Sequence, residues 1–221
     1  MRSCLVIIIL ISFFFASCRS AAYFESPNNF RNITGKLFLT NGRTVEGKLV
    51  VNTGNFMGSA VRVFLPGDKE PQKFNLLDVK GFELRDNYYE LKEVRPSISI
   101  GRANYSFMKR LTKPDSRIHL FENMEKYTTG GTRGSSATTR YEPEYYMQFP
   151  GEQGDVVWAV NSSKFVPNFD EKMSKLVEDC PALAAKIASK EEGYFYAQVT
   201  VFKEKRADVL WNIITEYNKC K

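Results

Sequence analysis

The stretch Gly35–Val51, GKLFLTNGRTVEGKLVV, decides how this chain is read. Leu37 and Leu39 alternate with Lys36, Phe38 and Thr40, and Val45, Gly47, Leu49 and Val51 recur at a period of two. Such alternation turns one side of a strand toward a core and leaves the other to water. Between the two runs stands Asn41-Gly42. A type I′ turn needs two residues that tolerate positive φ, and Asn-Gly is its strongest short signal. The stretch predicts a β-hairpin.

Working toward the C-terminus, more short strands follow. Val61–Leu65 ends at Pro66-Gly67-Asp68, Lys73-Phe74 suggests a brief strand, and Leu76, Leu77 and Val79 suggest a buried turn. Gly81–Leu84 and Tyr88–Val94 flank Asp86-Asn87. That density of strands predicts a small antiparallel barrel or a strongly curved sheet over residues 34–95. The opening hairpin also looks like that of Sm-like and SH3-like small barrels; the likeness is one of shape, and RNA binding is not carried over with it. A second hairpin region, 96–165, is expected from Tyr105–Leu111, Ile118–Phe121, Tyr145–Phe149 and Val156–Val160. Within it, residues 128–140 are small and polar and predict a mobile loop. The period then lengthens. Phe169, Met173, Leu176 and Val177 share one helical face, as do Leu183, Ala184, Ile187 and Ala188, and then Val209, Leu210, Ile213, Ile214 and Tyr217. Pro181 suits a helical first turn. Between the last two helices, Tyr194–Phe202 is aromatic and β-branched and is expected to be a strand or an extended packing segment. Residues 166–221 are otherwise expected to form a helical region, and the fold class is α+β: antiparallel strands first, helices last.

Working toward the N-terminus, the start of the chain has a different character. Met1-Arg2-Ser3 precedes the apolar run Leu5–Ile11 and Phe13–Phe15, followed by Ala16-Ser17. This is the order of a secretory leader, and the run is short for a bilayer span, which needs roughly 20 residues. Phe15-Ala16-Ser17-Cys18 resembles the bacterial lipobox, with Phe15 where Leu is usual. The resemblance implies removal of residues 1–17 and lipid attachment at Cys18. Ordinary cleavage after Ala22 is the rival. Arg19, not aspartate, follows the cysteine, which points to the outer membrane if the enteric sorting rule applies. Residues 18–33 lack periodicity and are expected to be a tether.

The chain has 221 residues, four cysteines and a single histidine, His119, which excludes most His/Cys metal sites; no cofactor or metal is expected. Losing the leader removes one basic side chain, Arg2, and lowers the formal charge from +6 to +5. Such a charge names no partner, and export disfavours nucleic acid. The partners expected are the membrane, through the anchor, and an envelope protein or glycan. Cys4 leaves with the leader and Cys18 carries the anchor, so Cys180 and Cys220 remain as an even pair in a disulfide-permissive compartment. Two separate buried thiols are the alternative.

Catalytic signals are sparse, and no catalytic residue is assigned. His119 sits in a strand without a recognisable partner. Glu142, Glu144, Glu152 and Asp155 lie near Tyr141, Tyr145 and Tyr146. Paired carboxylates with aromatic platforms are what glycoside cleavage uses, and a carbohydrate-active hydrolase is the alternative function. The same three tyrosines could instead stack on a ligand without cleaving it. Lys109, Arg110, Lys113 and Arg117 gather in sequence as a basic hairpin that could meet anionic lipid or polymer.

The hairpin TNGRTVEGKLVV, the pair GFELRDNYYELKEV, the motif FMKRL and the ending LVEDCPALAAKI…GYFY…IITEYNKC resemble a group of exported or lipid-anchored proteins of Bacteroidetes-type bacteria. The resemblance implies an envelope protein of antiparallel strands with C-terminal helices and carries over no catalytic residue. The expected function is a non-enzymatic binding or structural role at the cell envelope, with membership of an envelope complex as a further option.

Overall fold

The computed structural model describes residues 21–53, 60–94, 104–129, 138–151, 155–197 and 203–220. The strands are β1 (Tyr23–Ser26), β2 (Asn29–Leu39), β3 (Thr44–Asn52), β4 (Ala60–Phe64), β5 (Gln72–Asn75), β6 (Val79–Leu84), β7 (Asn87–Val94), β8 (Asn104–Arg110), β9 (His119–Thr129), β10 (Thr138–Gln148) and β11 (Val156–Ala159). The helices are α1 (Phe169–Leu176), α2 (Pro181–Ala188) and α3 (Lys203–Tyr217). The α+β architecture read from the sequence is the one observed: antiparallel sheet first, helices last.

The first half runs β2-β3-β4-β5 as a meander, makes a 3-10 turn at Leu76–Asp78, and returns with β6 alongside β2. Among the described residues β5 pairs only with β4, so this small barrel is left open at β5. Its inward residues include Leu37, Leu49, Val61, Val63 and Phe82, all fully buried. Curvature this tight requires backbones to approach closely. Gly35 and Gly47 lie opposite each other across β2 and β3. A Cβ on Gly35 would stand 2.4 Å from the Glu83 carbonyl oxygen, and one on Gly47 would stand 2.4 Å from that of Phe64.

Strands β7, β8, β9, β10 and β11 form a second, closed ring, because β11 pairs both antiparallel with β10 and parallel with β7. Its interior holds Met108, Phe121, Tyr146 and Val157. The period of two on β7 explains how the halves join. Tyr89 and Leu91 point into the first barrel's core together with Phe107, whereas Glu90 and Lys92 lie on the other face of the same strand. On the far side of the ring, Leu120 and Met147 pack against Phe169, Met173, Leu183, Leu210 and Ile213 of the three helices. The order in space is therefore barrel, ring, helices.

Several local readings are corrected. The segment expected to be a tether up to residue 33 is strand from Tyr23 onward. Asn28 is the reason it lies down: its amide donates to the Phe107 carbonyl at 3.1 Å, and its side-chain oxygen accepts from Phe107 N at 2.7 Å, copying a strand pairing. The turn at Asn41-Gly42 is not type I′, since only Gly42 has positive φ, at 83°. Leu39 N donates to Arg43 O at 2.9 Å, which leaves a three-residue loop needing one left-handed position. Leu77 is 61% exposed rather than part of a buried turn. The expected loop 128–140 is shortened from both sides, because Thr128 and Thr129 pair with Thr139 and Thr138; the rest of it lies outside the described residues. The leader and Cys18 lie outside them too. Among the described residues, no helix is long and apolar enough to cross a membrane.

Candidate functional site

The ring interior contains a group of charges that sequence reasoning missed. Lys92 is 3% exposed and Glu90 8%. The Lys92 ammonium donates to Glu90 Oε2 at 2.8 Å, Asp155 Oδ1 at 3.1 Å and Gln148 Oε1 at 3.2 Å. An ammonium has three N–H donors, and here all three are engaged. The Phe121 ring, with its centroid 4.8 Å away, covers another side. The second oxygen of Glu90 accepts from Arg110 Nη1 at 2.5 Å, and Arg110 lies 4.6 Å over the Tyr88 ring. Two cations and two anions therefore close on one another, drawn from β7, β8 and the residue preceding β11. Burying charge is costly unless it is paired and hydrogen-bonded, and this pairing meets that condition. The strand reading of Tyr88–Val94 gave no hint of it, because an alternating Glu-x-Lys normally marks a solvated face. The available signal lay in the facing strand, where Arg110 falls on the same side as Met108, the register partner of Glu90.

His119 stands at the rim of this ring. Its Nδ1 is 3.3 Å from Thr112 Oγ1, and that hydroxyl accepts from Leu120 N at 3.2 Å. Burial pushes the imidazole below its ordinary 6.5, with Glu90 pulling it up and Lys92 and Arg110 pushing it down. His119, Gln148, Phe149 and Pro150 line an open cleft beside Ser116 and Arg117. A neighbouring groove shares Ser116 and Arg117 and runs between the 111–117 loop and α3; Trp211, 37% exposed, lines it together with Lys113, Asp115 and Lys219.

The residues singled out from the sequence scatter. Tyr141 is exposed, Tyr145 packs against the helical core and Tyr146 is buried inside the ring, so the three share no surface. Glu142 pairs with Arg140 at 2.8 Å, Glu144 accepts from the Tyr127 hydroxyl at 2.7 Å, and Asp155 joins Lys92. Glu152 lies outside the described residues. The basic hairpin disperses in the same way. Arg110 belongs to the ring, while Arg117 turns to the end of α3. There it lies 3.9 Å over the Tyr217 ring, pairs with Asp179 and donates to the carbonyls of Tyr217 and Cys220 at 3.4 and 3.3 Å. A cation at a helix C-terminus meets the negative end of the helix dipole. Hydrogen bonds from Tyr217 and Arg117 hold the Asp179 carboxyl low, and burial with Asp179 nearby pushes the Tyr217 hydroxyl up to about 12. Beside this clamp, Cys180 opens α2 and Cys220 follows α3, with Cα atoms 5.8 Å apart and the sulfurs joined.

A separate cluster forms where the described chain begins. Glu25 accepts from Tyr23 at 3.1 Å, Asn29 at 2.5 Å, Lys126 at 2.9 Å and Tyr141 at 2.7 Å. These donors, that of Tyr141 first, bring its carboxyl down to about 2. Among the described residues, no group of three or more His, Cys, Asp or Glu side chains is placed to hold a metal ion. In comparison with known proteins, no family model matches the chain, and neither a curated protein nor a solved structure matches it.

Proposed function

We propose that this is an exported protein, held at the bacterial envelope by lipid on Cys18, that acts by binding or by a structural role rather than by catalysis. The observation that carries the reading is the joined pair Cys180–Cys220. Disulfides form and persist outside the reducing cytosol, which agrees with a leader ending in Phe15-Ala16-Ser17-Cys18. The buried charges support a structural role for the ring: the Lys92 donors are saturated by the protein itself. The groove along α3 supports binding of an envelope protein or glycan. Its exposed Trp211 offers an aromatic face beside polar side chains, and amphipathic aromatics are suited to such surfaces.

Intact-mass measurement of the protein purified from membranes tests the anchor. The expected species begins at Cys18 and carries acyl chains, and Cys18→Ser releases the protein from membranes. A chain that starts after Ala22, or that keeps its leader, refutes the reading. For the groove, Trp211→Ala should abolish retention of the purified protein on envelope polysaccharide or on its cross-linked protein partner. Retention at the level of the unaltered protein refutes the assignment of that surface.

A further inference from the structure

The start of the described chain faces outward in an unusual way. Among the described residues, five large apolar side chains are exposed, and three of them stand at β1: Tyr23 and Tyr141 gather around Glu25 on one side of the strand, and Phe24 projects from the other. The orientation of this surface is fixed. Phe24 packs one side on buried Phe30, with centroids 5.8 Å apart, and leaves 46% of its surface open. Tyr23 and Tyr141 are both tied to the Glu25 carboxylate, and Arg31 stands 5.6 Å over the Tyr23 ring. A crevice lined by Phe24, Ile33, Leu84 and Tyr89, together with Arg85 and Asn87, opens on the Phe24 side of the strand. Arg31, Lys126 and Glu25 stand on the Tyr23 side and Arg85 in the crevice on the Phe24 side. Glu25 is already consumed by four donors.

Covalent length decides what this end of the molecule meets. Cys18 and Tyr23 are five residues apart, and five extended residues span at most about 18 Å. No slack is gained further along, because Asn28 binds both the N–H and the C=O of Phe107 and ties β1 to the body. Each headgroup layer of a bilayer is about 5–8 Å thick. We propose that the β1 end of the molecule lies on the lipid surface, with Tyr23 and Phe24, one on each side of the strand, at the headgroup boundary and Arg31 and Arg85 on lipid phosphates. The proposal rests on lipid attachment at Cys18. Aromatic rings with a polar end are favoured at that boundary, and basic side chains are attracted to anionic headgroups. The acyl chains supply the affinity, and the β1 end sets the orientation. The far end of the first barrel then points away from the bilayer. β2 runs eleven residues from its β1 pairing to Leu39, a length of about 35 Å, and Leu77 lies beyond that end, where Thr40 N bonds Asp78 O at 3.0 Å.

The test uses the full acylated protein in vesicles of mixed anionic and zwitterionic phospholipid with brominated acyl chains. Phe24→Trp is compared with Leu77→Trp, after subtraction of emission from the two native tryptophans. The added emission of Phe24→Trp should shift to the blue and be mostly lost to quenching, while that of Leu77→Trp is retained. Tyr23→Trp repeats the measurement at a second exposed position, should Phe24→Trp disturb packing on Phe30. Quenching no greater at positions 23 and 24 than at 77 overturns the proposal, including the case in which a partner protein covers this end. Intact mass of the same sample separates the two failures: an unacylated chain removes the anchor and the proposal with it, whereas an acylated chain with unquenched tryptophans removes the proposal alone.

Discussion

Lys92→Met is the most direct test of the charged ring. Methionine keeps the length and most of the volume of lysine but deletes the ammonium, so packing against Phe121 survives while Glu90 loses one of its two cations. Removing one partner of a buried ion pair costs about 3–5 kcal/mol, because the other charge is left desolvated. Glu90 keeps Arg110 at 2.5 Å, which lowers the expected cost to about 2–4 kcal/mol. Asp155 behaves differently. Its side chain is 67% exposed, so water replaces the lost contact, and Asp155→Asn should cost no more than about 1 kcal/mol. The pair Glu90→Gln and Lys92→Met together should be less damaging than the sum of the single changes, since no unpaired carboxylate remains. Urea unfolding followed by circular dichroism measures the parent and all four variants, and unchanged slopes allow the midpoints to be compared as stabilities. The reasoning is refuted if Lys92→Met lies within about 1 kcal/mol of the parent, or if Asp155→Asn is as harmful as Lys92→Met.

Reducing the Cys180–Cys220 bridge opens a loop of sequence separation 40 and should remove about 4 kcal/mol in the chain-entropy account, or about 10 °C in Tm, read by calorimetry with and without reductant. Gly35→Ala places a methyl 2.4 Å from a backbone carbonyl that cannot swing aside, so it should cost about 3 kcal/mol or more in the same urea assay; a change under 1 kcal/mol, about the scale of a surface substitution, would mean that β2 and β6 can part there. Glu25 has a folded pKa near 2, against an ordinary 4.5. A depressed carboxyl stabilises the fold above the ordinary value and loses that contribution as pH falls toward the folded one. The stability gap between the parent and Glu25→Gln should therefore be full above about pH 5 and close toward pH 2; a gap independent of pH would show that Glu25 contributes through packing alone.

The parts of the fold legible from sequence were those governed by one apolar face. Leu37, Leu49 and Val51 alternate, and they line the first barrel; Leu210, Ile213, Ile214 and Tyr217 recur at helical spacing, and they pack on the sheet. The illegible parts depend on contacts distant in sequence. Residues 23–33 carry no apolar rhythm of their own, and their conformation comes from pairing with β3 and from Asn28 reaching Phe107. Glu90 and Lys92 look like a water-facing side until β11 closes over them through Asp155, whose carbonyl accepts from Glu93 N at 2.8 Å. Proximity in sequence also misled: Tyr145 and Tyr146 are neighbours, and a strand sends neighbours to opposite faces. Cys180 and Cys220 were readable because pairing needs only an even count and a suitable compartment.

Strand β7 is common property of the two halves. It hydrogen-bonds to β8 on one edge and to β6 and then β11 on the other, and its four consecutive buried residues divide between two interiors. A cut near Pro96 would leave an amino-terminal fragment with Glu90 and Lys92 stripped of Arg110 and Asp155 and with a naked strand edge, and a carboxy-terminal fragment missing a wall. Neither piece could be borrowed as a free-standing module. Through β7 the chain is bound to be made, kept and discarded whole, and a single proteolytic nick in a surface loop should leave both products travelling together until denaturant separates them.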